Sequence, residues 1–251
     1  MNPETRILHM YHDLMNLYGD WANVAVLERE LALRGFEVVI EKKSVGDGID
    51  FDGYHAIIIG SGTERSQQAC MQDLAQYKYS LIGCINAGTP VLATGSSHEL
   101  FGWAVTDSVG NRHEMLGLLD FETVQLNTRV TGDCVFKASF LPDKLIGFIN
   151  RAGGSQKGSV ERPFSIEPRE GASYAAHAEG IHFKNLLGTY MTGPLLFRNP
   201  PFLKYFADIV VEKSAAEPVK TNTIGGDEEG FADDRFFVYQ QKAYEAALSA
   251  L

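Results

Sequence analysis

The chain of 251 residues is 45% hydrophobic and 22% charged, which supplies enough apolar material for the core of a large α/β domain. Its formal net charge of −10 argues against nonspecific nucleic-acid binding, because that requires a cationic face. No apolar run approaches the roughly 20 residues of a membrane span, and the N-terminus lacks the pattern of a signal peptide, so we expect a cytoplasmic protein without a membrane span.

The first half of the chain alternates predicted strands and helices. Short apolar runs predict strands at residues 6–11, 36–42, 54–62 and 91–94. Helical spacing predicts helices after Asp20 and over residues 64–77, 79–87 and 97–103. Asp20 is expected to cap the first of these helices. The alternation predicts parallel strands, joined by right-handed crossovers, in a three-layer α/β fold.

The second half of the chain has a different pattern. Shorter, partly antiparallel strands are predicted within residues 115–126, 134–140 and 144–150. A polar, glycine-rich loop is expected over 151–174, and two strands, a turn and a helix over 180–213. We therefore predict one domain over residues 1–213, followed over 214–251 by an acidic tail with a terminal helix.

Two glycine-containing loops follow buried strands of the predicted sheet. One is Gly60-Ser61-Gly62, and the other is Gly95-Ser96-Ser97. The carboxyl ends of neighbouring parallel strands form the usual binding crevice of such sheets. The sequence therefore predicts that both loops contribute to one site.

Six segments of the chain together resemble a known enzyme family, and they run in the family's order over about residues 5–210: LMNLYGDWANV, IIIGSGTERSQ, MLGLLDFET, NTRVTGD, IGFINRAGG and GIHFKNLLGTYMTGPLL. They resemble class I glutamine amidotransferases of the cobyric acid synthase-like branch, and within it the amidotransferase subunits of lipid II isoglutaminyl synthases. The resemblance implies a flavodoxin-like three-layer sandwich with a mostly parallel central sheet. It also implies a Mur-ligase-like partner, which receives ammonia and amidates the glutamate of the peptidoglycan stem peptide.

The resemblance implies that the catalytic dyad of the family is missing here. In the family a cysteine at a strand-to-helix elbow attacks the glutamine side chain, and a histidine returns a proton to the leaving ammonia. Aligned through the motif Leu100-Phe101-Gly102, the cysteine position falls on Gly95. The family's histidine position falls on Thr192 in GTYMTGP. We therefore expect a pseudoenzyme that acts as a scaffold or regulator of its partner.

Other features of the family's site have counterparts in this chain. The N–H group of Ser96 and the backbone of Gly60 and Gly62 correspond to the oxyanion hole, which needs no side chains. Arg129 in NTRVTGD matches an arginine that contacts the glutamine substrate, and a guanidinium group can clamp a carboxylate through two hydrogen bonds. Ser96 also stands three residues before Glu99, the spacing of a helix capping box.

Two alternatives to a scaffold stay open. The first is an active amidotransferase with a rearranged dyad, in which Ser96 or Cys84 acts with His98. The second is a sensor without enzymatic activity, which binds glutamine or a related amino acid through Arg129. No cofactor or metal is expected, because the three cysteines and seven histidines follow no metal-ligand spacing.

Overall fold

The structure, a computed structural model, describes residues 3–167, 177–216 and 235–251. Its strands are β1 Glu4–Met10, β2 Glu37–Lys43, β3 Ala56–Ile59, β4 Val91–Thr94, β5 Ala104–Thr106, β6 Arg112–Glu114, β7 Phe121–Ala138, β8 Lys144–Gly158, β9 Phe164–Glu167, β10 Ala178–Glu179, β11 Ile181–Phe183, β12 Leu186–Thr189 and β13 Met191–Thr192. Its α-helices are α1 Trp21–Leu33, α2 Glu64–Leu74, α3 Lys78–Asn86, α4 Leu195–Arg198, α5 Pro200–Ala216 and α6 Arg235–Ala250. Two 3₁₀-helices cover Ala75–Tyr77 and Gly95–Phe101.

The central sheet has the strand order β11-β12-β4-β3-β1-β2. Its pairs are parallel except for β11 with β12. All four residues of β3 and of β4 are buried, as expected for strands with both faces covered. Alternate side chains enter two separate apolar clusters: Ile58 packs with α1 and α5, whereas Ile57 packs with α2 and α3. The predicted α/β sheet is therefore confirmed.

A second sheet is built around a long antiparallel hairpin of β7 and β8. The pairing contains an irregularity between Gln125 and Arg129, and it continues to Phe121 opposite Gly158. The glycine-rich loop predicted from residue 151 is therefore wrong over β8 and β9. A Cβ atom on Gly154 would collide with the carbonyl oxygen of Val124, so this glycine permits a close backbone approach in the hairpin. Residues 168–174 of the predicted loop lie outside the described part of the chain.

The predicted terminal helix is present as α6, and it packs on the rest of the domain. Phe237 is buried, and the Gln240 side chain donates to the carbonyl oxygen of Phe197 at 2.6 Å. The Tyr244 hydroxyl donates to the carbonyl oxygen of Lys144 at 2.5 Å. Residues 217–234 of the acidic tail lie outside the described residues, and the division at residue 213 stays a prediction. In the part of the chain that the structure describes, no helix is long and apolar enough to cross a membrane.

Candidate active site

The backbone at Gly95 makes a sharp turn at the carboxyl end of β4. Thr94 is extended, with φ −105° and ψ 151°, and Gly95 then adopts φ +61° at the start of a 3₁₀-helix. This left-handed conformation costs a residue with a Cβ atom about 1–2 kcal/mol. The chain therefore makes its sharp strand-to-helix turn at a residue that has no side chain.

A cavity of about 160 Å³ opens beside this elbow. Gly62, Gly95, Ser96, Arg129 and Thr192 all line it, so the fold collects residues from loops that are distant in sequence. The predicted convergence of the two glycine loops is therefore present in the structure. Gly60 is not among the described residues that line the cavity. It packs closely against Met15 and Asp20. The assignment of these residues to substrate binding stays a prediction.

Asp20 lies beneath the two loops, and the prediction that it caps α1 is wrong. It precedes the helix with helical backbone angles, φ −59° and ψ −20°, and its side chain makes no capping hydrogen bond. The fully buried carboxylate instead accepts from the Ser61 backbone N–H at 3.1 Å and from the Thr94 hydroxyl at 2.7 Å. Burial raises the pKa of Asp20 although these hydrogen bonds oppose the shift. Asp20 thus joins the ends of β3 and β4.

The capping box predicted for Ser96 is also absent. Thr94 precedes the 3₁₀-helix without a side-chain capping bond, and Glu99 turns into the protein interior. The Glu99 carboxylate accepts from Gln67 Nε2 at 3.0 Å and from the Tyr190 hydroxyl at 2.6 Å. Burial raises the pKa of Glu99. Glu99 therefore bonds to Gln67 on α2 and to Tyr190 after β12, and it does not form the local capping hydrogen bond that its spacing from Ser96 predicted.

The structure gives no support to the rearranged dyad. His98 Nδ1 bonds to the Gly95 carbonyl oxygen at 2.8 Å, and its Nε2 atom is buried without a partner among the described residues. Burial lowers the pKa of His98 to about 4, which makes it a weak base. Cys84 lies on α3, where its thiol donates to Leu81 O and burial raises its pKa to about 12. Neither His98 nor Cys84 is among the described residues that line the cavity.

The opposite wall of the cavity comes from the β7–β8 hairpin and the segment after β12. Arg129 Nε donates to Asn150 Oδ1 at 2.5 Å, and Asn150 Nδ2 donates to the Tyr18 hydroxyl at 2.8 Å. The Arg151 guanidinium lies 4.2 Å from the centre of the Tyr190 ring, a cation–π contact. The Thr192 hydroxyl donates to the carbonyl oxygen of Phe148 at 2.9 Å.

Several lining residues were not predicted from the sequence, namely Ser61, Gln67, Asn150, Arg151 and Tyr190. All five lie inside segments that carried the family resemblance, so the segments pointed to the site without identifying the side chains. Within the described ranges, no group of three metal-ligating side chains comes together. The polar part of the cavity wall is thus built from hydroxyl, amide, carboxyl and guanidinium groups.

Comparison with known proteins agrees with this geometry. Residues 6–200 match the model of the CobB/CobQ-like glutamine amidotransferase domain. The chain is 31% identical over 210 residues to the lipid II isoglutaminyl synthase (glutamine-hydrolyzing) subunit GatD of Staphylococcus aureus (strain N315), covering 84% of this chain and 86% of that protein. It is 30% identical over 198 residues to GatD of Streptococcus pneumoniae (strain ATCC BAA-255 / R6), covering 78% and 76%.

Solved structures show the same fold at low sequence identity. A crystal structure of a glutamine amidotransferase has a TM-score of 0.50 at 13% identity, covering 81% of this chain and 98% of that chain. The structure of PurLQS from Thermotoga maritima has a TM-score of 0.51 at 11% identity, covering 86% and 99%. These likenesses confirm the predicted class I glutamine amidotransferase fold. The match of the family model over residues 6–200 shows that this chain belongs to the CobB/CobQ-like glutamine amidotransferase family.

Proposed function

We propose that this protein is a glutaminase-inactive amidotransferase-like subunit, which pairs in the cytoplasm with a Mur-ligase-like protein of peptidoglycan amidation. It serves there as a scaffold or regulator and supplies no ammonia. The two GatD relatives, similar over more than three quarters of this chain, support the link to peptidoglycan amidation. The observation that carries the proposed inactivity is the pair of residues at the dyad positions, Gly95 and Thr192.

The chemistry of glutamine hydrolysis explains why this pair matters. The reaction needs a nucleophile that attacks the amide carbon and an acid that protonates the leaving ammonia. Among the described residues that line the cavity, none is a cysteine or a histidine. Ser61 and Ser96 supply hydroxyls, but a serine needs an adjacent base to become nucleophilic. Both oxygens of Glu99 already accept hydrogen bonds from Gln67 and Tyr190.

Two assays test the proposal with the full chain and its Mur-ligase-like partner. We expect the purified protein, alone or with the partner, to release glutamate from glutamine no faster than buffer does. Amidation by the complex should proceed with ammonium salts and fail with glutamine. Glutamate release that Ser96→Ala abolishes would refute the inactivity and favour the rearranged nucleophile. Failure of the two proteins to co-purify would refute the scaffold role.

The cavity itself favours a second candidate, in which an amino acid binds without being cleaved. Within the described residues, the Arg129 guanidinium donates from Nε to Asn150, and the arginine lines a cavity of about 160 Å³. Calorimetry with glutamine should then show binding that Arg129→Ala weakens at least about tenfold, because a bidentate charge-assisted contact is lost. Arg162→Ala is the matched control, since Arg162 is exposed and lies outside the described lining. Equal affinity of the two variants, or no binding by the parent protein, would reject this candidate.

A further inference from the structure

Ser61 occupies the space next to Gly95 into which a nucleophile's side chain would project. A Cβ atom built on Gly95 would meet Ser61 Oγ first, and it would lie 2.7 Å from Ser61 Cβ. Carbon atoms that are not bonded approach one another comfortably only to about 3.5–4.0 Å. Any residue other than glycine at position 95 therefore collides with Ser61.

Rotation of the Ser61 side chain does not remove this collision. A new rotamer moves Oγ, but it leaves Cβ in place, and the Cβ contact alone is too short. The collision disappears only if the Cβ atom of Ser61 is removed or if the backbone moves at residue 61 or residue 95.

The backbone of Ser61 is held in place from several sides. Its N–H donates to the buried Asp20 carboxylate at 3.1 Å, and its carbonyl oxygen accepts from the Leu17 N–H at 2.9 Å. The neighbouring glycines pack without free space, because Cβ atoms at Gly60 and Gly62 would collide with the backbone oxygen and the sulfur atom of Met15. A shift of the Ser61 backbone would therefore break these hydrogen bonds in a loop that is closely packed against Met15.

The Ser61 side chain is only 2% exposed, and it fills the space beside Gly95. Its hydroxyl also interacts with the Asp20 carboxylate and opposes the rise in the pKa of that group.

From this geometry we propose that residues 61 and 95 form a mutually exclusive pair, in which a side chain at either position requires glycine at the other. Ser61 is then a residue that blocks the elbow, and restoring cysteine at position 95 alone leaves the elbow obstructed. The inference deepens the proposed function, since it rests on Gly95 standing at the nucleophile position.

A double-mutant cycle on thermal stability tests the pair. Gly95→Ala should lower Tm by about 10 °C, from left-handed strain and the collision together. Adding Ser61→Gly should recover about 5 °C by removing the collision. Gly35→Ala is the matched control, since Gly35 has φ +86° and nothing within 4 Å of its added Cβ. Its smaller loss, about 3 °C, should not be recovered by Ser61→Gly.

Labelling by iodoacetamide gives a second readout. Gly95→Cys and Ser61→Gly/Gly95→Cys are compared by peptide mapping, and residue 95 should react at least about tenfold faster in the double variant, where the thiol has room. The natural cysteines are buried and give a low background. The proposed pair would be refuted if the Tm changes of Gly95→Ala and Ser61→Gly were strictly additive and the two cysteine variants were labelled at equal rates. It would also be refuted if the single and double variants lost folded protein to the same extent. Glutamine hydrolysis by the parent protein would refute the proposed function without changing this result.

Discussion

Replacement of Asp20 by alanine is expected to lower the free energy of unfolding by about 3 kcal/mol. The Asp20 carboxylate is fully buried, and it accepts hydrogen bonds from the Ser61 N–H and the Thr94 hydroxyl. Alanine leaves both donors buried without a partner, and each such group is unfavourable by about 1–3 kcal/mol. Denaturant unfolding of the full chain at neutral pH measures the loss.

Asp20→Asn separates the hydrogen bonds from the charge. The asparagine oxygen can accept from the Ser61 N–H, and its amide can donate to the Thr94 hydroxyl, which also accepts. We therefore expect this variant to retain most of the stability, within about 1 kcal/mol of the parent protein. If Asp20→Ala were as stable as Asp20→Asn, the carboxylate would not hold the two loops together.

Asp20 also shows why part of the fold could not be predicted. An aspartate directly before an apolar helix has the local signature of an N-cap, and the sequence offers no sign that Ser61 and Thr94 will approach it. The capping-box prediction for Ser96 and Glu99 failed for the same reason. The Glu99 carboxylate instead accepts hydrogen bonds from Gln67 and Tyr190. Local rules describe hydrogen bonds between neighbours in sequence, and the tertiary fold overrides them here.

The strands predicted within residues 115–126, 134–140 and 144–150 overlap β7 and β8, but the second half of β8 was missed for a related reason. Residues 151–158 are rich in glycine and polar groups, so they lack the alternation that predicts a strand. They form β8 because their backbone pairs with β7, where close approach requires glycine at Gly154. By contrast, β3 and β4 are short apolar runs buried on both faces, and their own composition was sufficient to predict them.

The candidate site was predictable where motifs specify single positions. Gly95 and Thr192 follow from aligned motifs, and both line the cavity. Ser61 belongs to a glycine loop that was predicted to contribute to the site. Its close approach to Gly95 depends on how two loops are placed relative to one another, which the sequence does not specify. Arg151 lies next to Asn150 in a matched segment, and its contact with the Tyr190 ring depends on how β8 packs. Such contacts become visible only when the elements are placed in space.

A large pH effect is expected from Glu179, a buried residue at the end of β10. Its carboxylate accepts from the Thr189 hydroxyl at 2.5 Å and from the Tyr190 N–H at 2.8 Å. Burial raises its pKa from 4.5 to about 7, although these bonds and the Arg151 charge oppose the shift. Between these two pH values the folded protein holds a proton that the unfolded chain has released.

Because the folded state holds this proton, the contribution of Glu179 to the free energy of unfolding is fully present below pH 4.5. It is lost as the pH rises to about 7. The shift corresponds to about 3 kcal/mol. Glu179→Gln mimics the protonated form, so its stability relative to the parent protein should rise by that amount between pH 4.5 and pH 8. Urea unfolding of both proteins across this range measures the difference, in which the titration of other carboxylates cancels. A difference that stays constant with pH would show that Glu179 is ionised in the folded protein throughout, and that the hydrogen bonds outweigh its burial.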